Sequence, residues 1–148
     1  MVNRIALMSI ATKHARKIFD GTKLWEFRKV PPRLADGESL EIFVYSSRVE
    51  KAIAGSFHAG RILRCSLTEL MAETGYANDA EAAAWFAAYY QGARQCCAIE
   101  VCHPVRFRSL LPLQAIQARV PSFRPPQNFI YITQDSELYS CISERKGV

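Results

Sequence analysis

No apolar run in this 148-residue chain approaches the roughly 20 residues that a membrane-crossing helix needs. A secretory pattern is missing too. The short N-terminal hydrophobic stretch runs into Lys13, Arg16 and Lys17 instead of a small-residue cleavage site. Cysteines number five, an odd count without framework spacing, which argues for a reducing compartment over a disulfide scaffold. Cys96, Cys97, Cys102 and His103 lie close in sequence. However, no C-x-x-C pair and no second cluster completes a tetrahedral site, and His14 and His58 lack metal spacing. No metal and no cofactor is expected. The chain also has no phosphate-cradling glycine loop, no Ser-His-Asp order, no kinase motif, no internal repeat and no low-complexity segment. These absences lead to an expected soluble, cytoplasmic protein with no membrane partner.

What remains is a globular composition, 49% apolar and 22% charged. The length suits one domain over 1–148 with a sizeable core. The net charge of +5 is unevenly placed: residues 1–33 carry +6, residues 34–103 carry −4 and residues 104–148 carry +3. Should the two basic ends meet in space, they would form one electropositive face with salt-sensitive affinity for phosphate backbones. A mildly basic protein with solvated lysines fits the same total.

Periodicity and punctuation give a coarse map. Ile5 to Ile10 reads as a strand and Lys13 to Asp20 as a short helix with Ala15, Ile18 and Phe19 on one side, closed by Gly21. Leu40 to Tyr45 is a strand. Ala52 to Arg64 is a long one, and its Gly55 and Gly60 predict bulges or a sharp bend. Ser66-x-x-Glu69 and Asn78-x-x-Glu81 have capping-box spacing for two helices, ending at Gly75 and near Gly92. Trp85, Phe86 and Tyr89 recur at helical spacing, as core contacts do. Cys97, Ile99 and Val101 alternate as a strand, Pro104 marks an edge or bend, and Phe129 to Ile132 forms a last short strand.

The most informative stretch is Gly21-Thr22-Lys23-Leu24-Trp25-Glu26-Phe27-Arg28. Strand alternation points Glu26 and Arg28 one way and Trp25 and Phe27 the other. The aromatic pair can then be buried while the charged pair stands over a solvent-accessible face. An ordinary surface ion pair of about 0–1 kcal/mol fits this spacing as well as an anion site does.

Gly21, Lys23, Glu26 and Arg28 together meet all four specified positions of G-x-K-x-x-E-x-R, set between a helix and a strand. In this the chain resembles the ASCH domain (activating signal cointegrator homology) of the PUA-like superfamily. Val44-Tyr45-Ser46-Ser47 resembles the family's next strand. Pro125-Pro126-Gln127-Asn128-Phe129 is similar to its P-P-Q-S-F segment, with Asn128 in place of the serine. The likeness covers roughly residues 4 to 133. It implies an α+β fold, a PUA-like β-pseudobarrel with inserted and flanking helices, in which the basic ends converge.

The resemblance also implies where chemistry sits. Tyr45 and Lys51 resemble residues that ASCH members with ribonuclease activity use near the cleft. Metal-free RNA cleavage would need their proton affinities moved from near 10. Lys23 and Arg28 suit phosphate, and Glu26 suits an amine hydrogen bond. Lys23, Glu26, Tyr45 and Lys51 are thus the catalytic candidates. Lys13, Arg28, Ser46, Ser47, Gln127, Asn128 and Tyr131 are candidates for nucleic-acid contact, with amides reading base edges and Tyr131 stacking on an unpaired base. The implied function is binding of single-stranded RNA or a nucleotide in a basic cleft, with ribonuclease activity compatible with it. Some small PUA-like relatives are amidohydrolases on cytidine acylated at its amine, but a threonine nucleophile stands there in place of Glu26. A protein-binding transcriptional coregulator is the third reading, with the basic face serving an acidic partner.

Overall fold

The N-terminal apolar run becomes β1 (Val2–Ala11). Ile5 and Leu7 are buried on one of its faces and Ala6, Met8 and Ile10 on the other, as suits a strand with neighbours on both sides. The computed structural model describes residues 2–146. After β1 come α1 (Thr12–Phe19), β2 (Trp25–Arg28), β3 (Glu38–Ser47), β4 (Ala52–Cys65), α2 (Leu67–Thr74), α3 (Ala80–Tyr89), β5 (Cys96–Pro112), α4 (Leu113–Arg119), β6 (Phe129–Ile132) and α5 (Glu137–Lys146). The strand order is β2-β5-β4-β3-β1-β6. The α+β class expected from the sequence is the one observed.

Two compact units divide the chain. The first takes the residues up to Leu24, Leu34–Ala59 and those from Val101 onward; the second takes Trp25–Arg33 and Gly60–Glu100. In the first, β1 runs parallel to β3, from Val2↔Glu38 to Ala11↔Ser47, and antiparallel to β6 through Ile5↔Ile132 and Met8↔Phe129. The C-terminal basic segment therefore does return beside the N-terminal one. Ile5, Leu7, Phe43, Tyr45, Ile53, Phe107, Ile116 and Ile142 form one core cluster here. In the second unit, Trp25, Leu70, Phe86, Tyr90 and Ala98 form another.

Several local expectations are met and others are corrected. Ser66 caps α2, accepting from the Glu69 N–H at 3.2 Å, and Gly75 closes it at φ +88°. The cap of α3 is Asp79, not Asn78; its carboxylate accepts from the Ala82 N–H at 2.9 Å. Trp85 is 51% exposed, so the inward row of α3 is Phe86 and Tyr90, while Trp85 stacks on Tyr89. The bend at Pro104 is made by His103 at φ +50°, and β5 continues through it. The short helices α4 and α5 were not expected. Glu26 is buried at 6% exposure beside a half-buried Arg28, so the charged pair of β2 does not stand over solvent.

The glycine-marked bulge falls in β4. Val44 pairs with Gly55 and Tyr45 with Ile53, leaving Ala54 as the extra residue. A Cβ on Gly55 would lie 2.2 Å from the Val105 carbonyl oxygen and 2.8 Å from the Phe19 ring. The ring can swing; the strand backbone cannot. Gly55→Ala is expected to lower the unfolding free energy in urea by about 3 kcal/mol. Gly37→Ala, at φ +80° in open space, should cost only about 1 kcal/mol.

Candidate functional site

In the first unit, three structural features meet where the parallel strands β1 and β3 end. The first is a hydrogen-bond hub. The Thr12 side chain opens α1 and is buried at 2% exposure. Its hydroxyl lies 2.9 Å from the Ser46 hydroxyl, donates to the Ser47 carbonyl at 2.8 Å and accepts from the Glu50 N–H at 3.1 Å. It thus holds the start of the helix against the end of β3 and the loop to β4. That loop is strained, since Arg48 and Lys51 take left-handed φ values of +78° and +49°.

The second feature is a charge cluster. Glu50, with its side chain 9% exposed, pairs with Arg106 at 2.8 Å and lies 3.9 Å from Arg16. Burial pushes its carboxyl up, but hydrogen bonds from Arg106 and Ser46 and the charges of Arg106 and Arg16 outweigh burial. The carboxyl is held below the ordinary carboxylate range. Lys13 and Lys51 are exposed beside it in sequence, so this cluster is net positive even with Glu50 ionised.

The third is a row across neighbouring strands. Tyr45 is the register partner of Ser9. The Ser9 N–H donates to the Asn128 carbonyl at 3.0 Å and its hydroxyl to the Pro126 carbonyl at 2.6 Å. Tyr45 packs in the core, and burial raises its phenol above its ordinary value. It keeps its proton at neutral pH, and the shift runs away from what a general base requires.

The candidate residues are placed as follows. Tyr45 and Ser46 point to opposite faces, one into the core and the other to Thr12 on α1, so only the strand end brings them together. Ser47 and Lys51 offer backbone carbonyls, to the Thr12 hydroxyl and to the Leu113 N–H at 3.0 Å. Gln127 is exposed and Asn128 half-buried. Tyr131 has the Arg4 guanidinium over its ring at 3.7 Å and Phe129 edge-on at 5.6 Å, which occupies one stacking face. Lys23 follows the Gly21 turn (φ +84°), its N–H bonded to the Lys17 carbonyl at 2.9 Å. Glu26 and Arg28 belong to the second unit and form an ion pair at 2.9 Å.

Thr12, Glu50, Arg16, Arg106 and Ser9 were missed from the sequence. Their contacts join residues tens of positions apart, and no local motif marks them. Among the described residues no group of three or more His, Cys, Asp or Glu is placed to hold a metal ion. The five cysteines are free thiols, and no helix is long and apolar enough to cross a membrane.

The strand order and helix placement define the ASCH fold of the PUA-like class. Among solved structures, the ASCH protein from Zymomonas mobilis matches at TM-score 0.79 with 23% identity, covering 95% of this chain and 94% of that one. Its tyrosine-to-phenylalanine variant matches at TM-score 0.79 and 22% identity, covering 95% and 96%. Human THYN1, in complex with DNA containing 5-methylcytosine, matches at TM-score 0.56 and 11% identity, covering 95% and 97%. These likenesses show the fold. No protein-family model and no curated protein matches the sequence.

Two outcomes are expected from the hub and its carboxylate. Thr12→Val strands the Ser47 carbonyl and the Glu50 N–H, and should lower the unfolding free energy in urea by about 1–3 kcal/mol. Because the Glu50 pKa is lowered in the fold, its contribution is fully present above its unfolded value, about 4.3. It is lost as pH falls through the lowered folded value. The stability gap between the parent and Glu50→Gln should therefore be widest above about pH 5 and close in acid below about pH 4, measured by urea denaturation across that range.

Proposed function

We propose that this chain binds single-stranded RNA in its first unit, at the carboxyl ends of β1 and β3. The observation that carries the reading is the cluster of Lys13, Arg16, Lys51 and Arg106 around one buried carboxylate, beside the Tyr45–Ser9–Asn128 row. Ligands favour the carboxyl ends of parallel strands in open α/β sheets, and this site has the same placement. Cations there would take phosphates. The Tyr45 hydroxyl and the amides of Gln127 and Asn128 would address base edges, which only an unpaired strand leaves open. The DNA complex of THYN1 supports nucleic-acid binding by this fold in general.

Binding without turnover is the reading adopted. Tyr45 is a proton donor at neutral pH, and a base for the 2′-hydroxyl is not supplied by it. The amidohydrolase reading gains no support from Glu26, whose carboxylate is buried and held by Arg28.

Fluorescence anisotropy of a labelled single-stranded RNA at two salt concentrations tests this, with the product run on a gel. The expected result is salt-sensitive binding, weakened tenfold or more by Lys13→Glu with Lys51→Glu, and intact RNA. Equal affinity in parent and double variant contradicts the site. Cleavage lost in Tyr45→Phe contradicts the absence of turnover.

A further inference from the structure

The second unit carries a groove that no sequence motif marks and that the site above does not use. Its volume is about 690 Å³, within the range of small-ligand sites. Lys29 and Arg33 come from the segment after β2, Arg64 from β4, and Gln91, Arg94 and Gln95 from the turn between α3 and β5. Four lining residues are cationic, and none of the described lining residues is acidic. Arg64 is anchored, donating to the Pro32 carbonyl at 2.6 Å, so part of this charge is held in place before any ligand arrives.

An aromatic ridge continues from the groove. The Lys29 ammonium lies 5.3 Å from the Tyr89 ring centroid. Tyr89 in turn stacks on Trp85 at 5.0 Å with an interplanar angle of 14°. The Tyr89 hydroxyl donates to the Phe27 carbonyl at 3.0 Å, which fixes the ring. Trp85 is half exposed on a helix whose core-facing work is done by Phe86 and Tyr90. An exposed indole on a rigid aromatic neighbour, next to a carboxylate-free row of cations and two amides, has the composition of a strand-binding platform.

We infer that the second unit holds an independent contact for single-stranded nucleic acid, with phosphates in the Lys29–Arg33–Arg64–Arg94 groove and a base stacked on Trp85. The four cations match the phosphate spacing of a short strand better than a neutral ligand, and the amides of Gln91 and Gln95 suit base edges without demanding one sequence. The contact does not depend on the site in the first unit.

The chain has two tryptophans, and Trp25 is buried at 8% exposure, so quenching by a ligand reports on Trp85. A ten-nucleotide oligouridine titrated into the full chain should quench emission. The quench should vanish in Trp85→Ala. The midpoint should rise tenfold or more in Arg33→Glu with Arg94→Glu, with unchanged far-ultraviolet circular dichroism, and the salt slope should fall by about one. Lys13→Glu with Lys51→Glu should leave the quench titration unmoved, which separates this contact from the first-unit site. An unquenched parent overturns the inference and leaves the ridge to a protein partner. So does an Arg33/Arg94 variant whose midpoint stays within twofold of the parent.

Discussion

One threonine hydroxyl organises the first unit. Thr12 accepts and donates where a helix start, a strand end and a strained loop would otherwise leave polar groups without water. A buried polar group without a partner costs about 1–3 kcal/mol, so a side chain that satisfies several at once fixes their relative position. The loop it anchors holds two residues in left-handed backbone and presents the Glu50 carboxylate to Arg106 and Arg16. Remove that anchor, and neither the ion pair nor the position of Lys51 is determined.

The charge of this chain works at two places with different designs. In the first unit, cations gather around a carboxylate that is already neutralised, beside tyrosine and amide groups on adjacent strands. In the second, cations line a groove without acidic neighbours and run into stacked aromatics. A net charge of +5 is modest, but its clustering makes local fields stronger than the total suggests. The buried Glu26–Arg28 pair belongs to neither design. Its enclosure makes it a structural pair on a short strand, where the partner of each charge is fixed.

Much of the fold was legible because local chemistry dictated it. The Ser66 capping box, the stops at Gly21 and Gly75 and the bulge beside Gly55 each follow from a residue's own conformational limits. The misses have physical reasons as well. Pro112 precedes α4, which starts without a side-chain cap, and its apolar residues are too few to show a period. In α5 a signal was present but overlooked: the Ser136 hydroxyl accepts from the Tyr139 N–H, with acid in the first turn and base in the last. Trp85 was misjudged because a ten-residue helix carries two aromatic rows, and spacing alone does not say which faces inward. At the site, Tyr45, Ser46, Lys51 and Asn128 were named from the sequence. Thr12, Glu50 and Arg106 were not, because tertiary pairing is what makes them neighbours. The groove in the second unit draws on three separate segments and was invisible for the same reason.

Backbone amide NMR during titration with a short single-stranded RNA tests the first-unit site most directly. The account predicts salt-sensitive shifts of the amides at 12–16 and 47–51 and at Asn128, saturating together. Shifts that leave those three segments unmoved, while RNA is demonstrably bound, would contradict it.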